Sequence, residues 1–141
     1  MMRASRHIPF SSLLTASLFA VAIAAPTMAQ DAKPQETKGI SLASRSTLQL
    51  GEQIPELKGY AMQLRTIVLQ PGAVAAYHSH AKRPVVAYLV SGEYVEHRDG
   101  LGEIVHKSGD QWVEGANVAH WSENRGAKPA ILINVEVFQP R

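Results

Sequence analysis

Gly72 to Gly92 reads GAVAAYHSHAKRPVVAYLVSG, and inside it His78-Ser79-His80 sets two imidazoles at positions i and i+2. Side chains of a strand alternate between its faces, so both rings point the same way while Ser79 points to the other. That is the geometry of a two-toothed metal clamp. Taken alone, the spacing also describes a pair of exposed strand histidines, because a three-residue motif is a weak signal. The neighbourhood is β-rich on both sides. Apolar residues recur with period two in Tyr60-Ala-Met62-Gln-Leu64-Arg and Ile131-Leu-Ile133-Asn-Val135-Glu-Val137, the pattern of strands with one buried face. Between such runs fall turn signals: Pro71-Gly72, Ser91-Gly92, Asp99-Gly100, Ser108-Gly109, Gly115-Ala-Asn117 and Arg125-Gly126. The strands expected are 48–50, 60–69, 75–80, 85–90, 94–98, 104–107, 111–114, 119–124 and 130–138. Strands punctuated at short intervals, with no long helical period, give an all-β sandwich or barrel.

The chain has 141 residues, 45% of them hydrophobic and 18% charged, the size of one compact domain. It contains no cysteine, which excludes structural disulfides, thiolate zinc sites and cysteine nucleophiles. Any metal must be held by nitrogen and oxygen. The formal net charge is +2, but two of the 14 Lys and Arg are Arg3 and Arg6, in a segment read below as removable. Without them 12 cations face 12 Asp and Glu. A neutral domain has no electrostatic footprint for nucleic acid or an anionic membrane surface, so neither is expected as a partner.

Residues 1–10 carry Arg3, Arg6 and His7 and no acid; a largely apolar run follows from Ser11 to Ala25, closed by Pro26-Thr27-Met28-Ala29. This reads as a secretory signal peptide, 1–29, cleaved after Ala29. The apolar run falls short of the roughly 20 residues a membrane span needs, so no span is expected after cleavage. A missing cysteine after the run excludes a lipoprotein, and missing paired arginines argue against twin-arginine export. The expected location is periplasmic or secreted. Residues 30–42 are expected to be a disordered lead-in, since Gln30 to Gly39 is polar, without an apolar period, and contains Pro34. One domain, 43–141, follows.

Two spaced motifs give the chain a resemblance to the cupins, small double-stranded β-helix (jelly-roll) barrels. In the first, Gly72 is followed after five residues by His78-Ser-His80 and later by Gly92, but Val85 occupies the place of the family's glutamate. In the second, Gly109, Gly115, Asn117, His120 and Asn124 fit every spacing, with Gly115 and Asn117 replacing the usual Pro and Gly. The resemblance covers about residues 43–138. It implies that His78, His80 and His120 are metal ligands and that position 85, being apolar, is not. Two readings follow: a three-histidine site, as in some cupin dioxygenases, or a decayed site without metal. Retention of all three histidines favours the first. Imidazoles suit iron, zinc, copper and nickel; one divalent ion is expected, Fe(II) first and Zn(II) second.

Glu114 lies six residues before His120 and resembles an outer-sphere acid of certain three-histidine cupins; it is the catalytic candidate, able to orient a ligand or take a substrate proton. Its other reading is a solvated strand-end carboxylate. Tyr77, Tyr88, Trp112 and Trp121 read as core or interface packing, Arg83 as a solvated loop residue or a carboxylate holder, and His97 and His106 as ordinary surface or edge-strand histidines. Asn124 is expected to make a local turn bond. No serine-hydrolase elbow, phosphate loop or HExxH helix is present. The function expected is a metalloprotein acting on a small organic molecule, with dioxygenase-like oxidation of an enolisable compound favoured. Isomerase or lyase chemistry and a non-catalytic binding or sensing module stand as alternatives. The resemblance also implies a homodimer, with Ile40–Leu50 as the exchanged segment.

Overall fold

The structure is a computed structural model that describes residues 32–140; the expected signal peptide, 1–29, lies outside them. Eight strands follow in order: β1 Lys38–Gln49, β2 Ala61–Ser79, β3 Val85–Ser91, β4 Glu93–Arg98, β5 Gly102–Lys107, β6 Gln111–Glu114, β7 Ala119–Glu123 and β8 Ala130–Phe138. Two short 3-10 turns, Leu50–Glu52 and Pro55–Leu57, join β1 to β2. All pairings are antiparallel, in the order β5-β4-β7-β2-β8-β3-β6, with β1 added on β2. The sheet is the double-stranded β-helix of the cupin fold expected from the sequence.

The long β2 organises the molecule. Its first half, Ala61 to Leu69, lies between β1 and β8. Its second half, from Val74 to Ser79, pairs with β7 instead. Gly72, at φ 75°, stands between the halves in a backbone conformation that side chains with a Cβ rarely adopt. The expected strands 60–69 and 75–80 are therefore one strand, since the Pro71-Gly72 signal bends the chain without reversing it.

Inward residues of β2, β3 and β8 build the core: Leu69, Ala73, Val85, Ala87, Leu89, Ala130 and Leu132, joined by Tyr94 of β4. Alternation on β8 is strict, with Ala130, Leu132, Asn134 and Glu136 inside. Gly92, which turns β3 into β4, combines φ 87° with close approach: a Cβ there would lie 2.7 Å from Ala130 Cα. Leu69 and Leu89, 1% and 0% exposed, are each worth about 1.5–3 kcal/mol of transfer free energy.

The N-terminal part departs from expectation. β1 begins at Lys38, within the stretch 30–42 expected to be disordered, and runs well ahead of the expected strand 48–50. Almost every side chain on it is exposed, so it carries no core-facing pattern; backbone pairing with β2 of the same chain holds it. Upstream, Tyr77 N–H donates to the Pro34 carbonyl and Lys33 is paired with Asp99 at 2.7 Å. Among the described residues no helix is long and apolar enough to cross a membrane.

Candidate metal centre

His78 and His120 are direct cross-strand partners in the β2–β7 ladder, and His80 is the first residue beyond the end of β2. Register therefore gathers three imidazoles that lie far apart in sequence. Their Nε2 atoms are mutually 3.0, 3.1 and 3.2 Å apart. His80 and His120 are buried and His78 is more exposed.

Each ring's other nitrogen faces an oxygen. His78 Nδ1 lies 2.7 Å from the Ala76 carbonyl oxygen and His80 Nδ1 2.9 Å from that of Arg83. His120 Nδ1 sits 2.7 Å from Glu96 Oε1, although the approach is off the ring's N–H axis. Facing an acceptor, each Nδ1 keeps its proton, and the three Nε2 lone pairs converge. Neutral rings so arranged repel unless a cation lies between them. A metal about 2.0–2.1 Å from each nitrogen requires nitrogens about 2.8–3.4 Å apart, from right-angled to tetrahedral arrangements. The observed spacing falls inside that interval, so the donor set fits a divalent metal. Burial, the largest influence on His78, lowers its pKa from the ordinary histidine value and favours the neutral ligand form.

Glu114 belongs to this centre. It is 3% exposed, its Oε2 is 3.2 Å from His80 Nε2, and Trp112 Nε1–H donates to its Oε1 at 2.8 Å. The reading of Glu114 as a solvated strand-end carboxylate is thereby corrected.

Glu96 was not singled out by spacing. Fully buried on β4, it faces His120 Nδ1, lies 3.1 Å from His106 Nε2, and accepts two hydrogen bonds from Arg98 at 2.7 and 3.0 Å. Burial alone would raise its carboxyl, but the bonds from His106, His120 and Arg98 outweigh that effect and hold it well below the usual carboxylate range. His106 is accordingly no surface histidine: it is 7% exposed and stacks on Trp112 with centroids 3.8 Å apart. His97 stacks on Trp121 at 3.6 Å and pairs with Glu123.

A cavity of about 190 Å³ opens at the three histidines; Glu114, Tyr94, Arg65 and Asn134 also line it. A wide mouth beyond it is bordered by Tyr60, Lys82, Arg83 and Phe138. Tyr77, Tyr88, Trp112 and Trp121 do not line the inner cavity, consistent with packing; Tyr94, which does, carried no spacing signal. Tyr77 hydroxyl donates instead to Asp99 at 2.6 Å. Arg83 reaches Glu136 at 3.4 Å and lies over the Phe138 ring. Asn124 makes its expected turn bonds, accepting from Gly126 N–H and donating to the Lys128 carbonyl, and also donates to the distant Leu69 carbonyl.

Comparison with known proteins agrees with this architecture. Residues 65–136 match the sequence model described as "Cupin domain". No curated protein matches the sequence. Among solved structures, a Klebsiella pneumoniae conserved protein with a double-stranded β-helix domain is 23% identical, at TM-score 0.51, over 55% of this chain and 68% of its own. A Thermus thermophilus protein is 29% identical at TM-score 0.50, over 56% and 74%. A predicted oxalate decarboxylase of Thermotoga maritima is 20% identical at TM-score 0.52, over 75% of this chain and 93% of its own.

Proposed function

The chain belongs to the cupin family, and from that premise we propose that it is a metal-dependent enzyme that oxidises a small enolisable molecule with dioxygen. The observation that carries this reading is the convergence of three Nε2 atoms within 3.0–3.2 Å while each Nδ1 faces an acceptor. His78, His80 and His120 would hold one divalent ion, iron before zinc. The ion would supply Lewis acidity toward substrate oxygens and, as iron, access to dioxygen. Three neutral imidazoles leave its positive charge uncompensated, which favours an enolate over its neutral parent.

The remaining chemistry belongs to the chain. Glu114 Oε2, at the rim of the histidine cluster, takes the proton that leaves the enolisable carbon, and Trp112 fixes the carboxylate through Oε1. Glu96 orients the His120 ring. The apolar walls from Leu69, Ile67 and Leu132 limit water inside the cavity.

The same proposal takes residues 1–29 as an export signal, so that the working protein begins at Gln30 outside the cytoplasm. It also takes the protein as a homodimer. Across the outer sheet face Leu64, Val135, Val86 and Val113 form one continuous cross-strand row over β2, β8, β3 and β6. Leu64, Val86 and Val113 are 42%, 57% and 65% exposed, and Met62 and Tyr88 extend the patch. An apolar face of this kind on a small domain is suited to a second copy of itself.

The deciding test is metal content of protein purified without a metal-binding tag, followed by oxygen uptake with a panel of enolisable carbonyl compounds, neutral and acidic alike. About one metal per chain together with oxygen uptake is expected. Negligible metal after anaerobic reconstitution would overturn the metal centre. Metal without turnover, beside metal-independent ligand binding, would return the protein to a binding module.

A further inference from the structure

The inner face of the barrel toward its mouth is polar where the deeper wall is apolar. On β2 Arg65 points inward, and on β8 Asn134 and Glu136 do so; Ile67, Leu69 and Leu132 lie farther in. Arg65 borders both the inner cavity and the mouth, so one side chain bridges the histidine cluster and the entrance.

The hydrogen bonding of this wall is incomplete. Arg65 Nη2 donates to Glu136 Oε2 at 3.0 Å, and Arg83 Nε approaches the same oxygen at 3.4 Å. Arg65 Nε, Asn134 Oδ1 and Glu136 Oε1 are all buried without a protein partner. Buried polar atoms are nearly always satisfied, so these exceptions mark a wall with polar capacity to spare; Arg65 and Asn134 of that wall line the inner cavity, with Glu136 behind them. The orphan set contains one cationic donor and two acceptors.

The charge balance selects the ligand. Two guanidiniums share the single carboxylate of Glu136, which leaves one positive charge over. Lys82 adds another at the mouth, which no acidic side chain lines among the described residues; the carboxylate of Glu114 lines the inner cavity on the histidine side. We infer that Arg65, assisted by Arg83, anchors the carboxylate of the substrate, so that the molecule taken is a small 2-oxo or 2-hydroxy acid rather than a neutral dicarbonyl. Its carboxylate accepts from the guanidinium of Arg65, which is 25% exposed and lines both cavities, and its neighbouring oxygen reaches toward the histidines. At about 190 Å³ the inner cavity is smaller than those that hold drug-sized ligands, in keeping with so short an acid.

This assignment rests on the metal-centre reading for what the acid meets, and its test separates the two. Pyruvate and 2,3-butanedione have nearly the same shape and offer vicinal oxygens alike; only pyruvate is charged. Calorimetric titration of each into metal-free and zinc-loaded protein is compared with Arg83→Gln and with the double variant Arg65→Gln, Glu136→Gln. The double variant removes the buried ion pair as a unit and strands no charge; circular dichroism checks that both variants fold. Pyruvate is expected to bind more tightly than butanedione and to lose about tenfold or more of its affinity in each variant, while butanedione binding stays within about twofold. A preference for pyruvate that survives both variants, equal binding of the two probes, or no pyruvate binding overturns the anchor even if zinc is held. Absence of metal binding beside an arginine-dependent preference for pyruvate overturns the metal centre and leaves the anchor standing.

Discussion

Val85 and Glu114 are direct partners in the β3–β6 ladder, both 3% exposed. Directly opposed residues of an antiparallel pair share a face, so the carboxylate of Glu114 enters the barrel beside the position where the cupin motif places its own glutamate. On the other edge of β3, Val85 is opposed by Glu136. Position 85 is thus an apolar spacer between two inward carboxylates.

Val85→Glu would set three carboxylates side by side at the barrel wall, two of them without a free cation. In metal-free protein this variant is expected to lose about 1–3 kcal/mol of stability. Divalent metal should restore part of that loss, because the new carboxylate would stand beside Glu114, whose Oε2 lies 3.2 Å from His80 Nε2. Urea unfolding with and without zinc checks both halves; equal loss in the two states would refute the placement.

Glu114→Gln keeps the hydrogen bond from Trp112 and the side-chain volume but cannot take a proton. Metal content is expected to stay near that of the wild type, while turnover of an enolisable substrate falls by about 10²–10⁴-fold. Loss of metal in step with activity would make Glu114 a ligand instead.

The three-histidine centre was legible because its determinants are local or fixed by motif spacing. Alternation puts His78 and His80 on one face, and a single β2–β7 register brings His120 opposite His78. Glu96 was not legible. Its role depends on β4 pairing with both β5 and β7, which sets His106 and His120 against one carboxylate, and no spacing in the chain encodes that double pairing. His106 lies on the edge strand β5, one of the two places read for it, but its burial against Glu96 was not legible for the same reason. β1 escaped notice because KGISLASRSTLQ is exposed on nearly every residue and bonds through its backbone, so burial leaves no period in its composition.

His120→Ala is expected to lower metal content from about one equivalent to a small fraction, since two imidazoles from one strand make a weak site. It also leaves Glu96 without one of its partners, so the variant's melting temperature should be compared in metal-free protein. Retention of full metal content in a folded His120→Ala protein would exclude the proposed ligand set.

Monomerisation should follow from charge on the outer sheet face. Val86, 57% exposed in the middle of the cross-strand row, costs little to replace in a monomer. If the wild type is the proposed dimer, Val86→Asp is expected to give a monomer by light scattering with little change in metal content. A wild-type protein that is monomeric at all concentrations would remove the interface.

Glu96 links the centre to pH. Its folded pKa lies below that of the unfolded chain, so its contribution to stability is fully present above the ordinary glutamate value, about 4.3, and is lost as pH falls from there toward the folded value. Glu96→Gln removes this linkage. The metal-free variant should be less stable than the wild type at neutral pH, and the gap should narrow in acid. The same substitution should weaken metal binding by about 10–100-fold, because His120 loses the carboxylate that fixes its ring. A gap that stays constant from neutral pH into acid would show that Glu96 is protonated in the folded protein, and that His120 is oriented by something other than its charge.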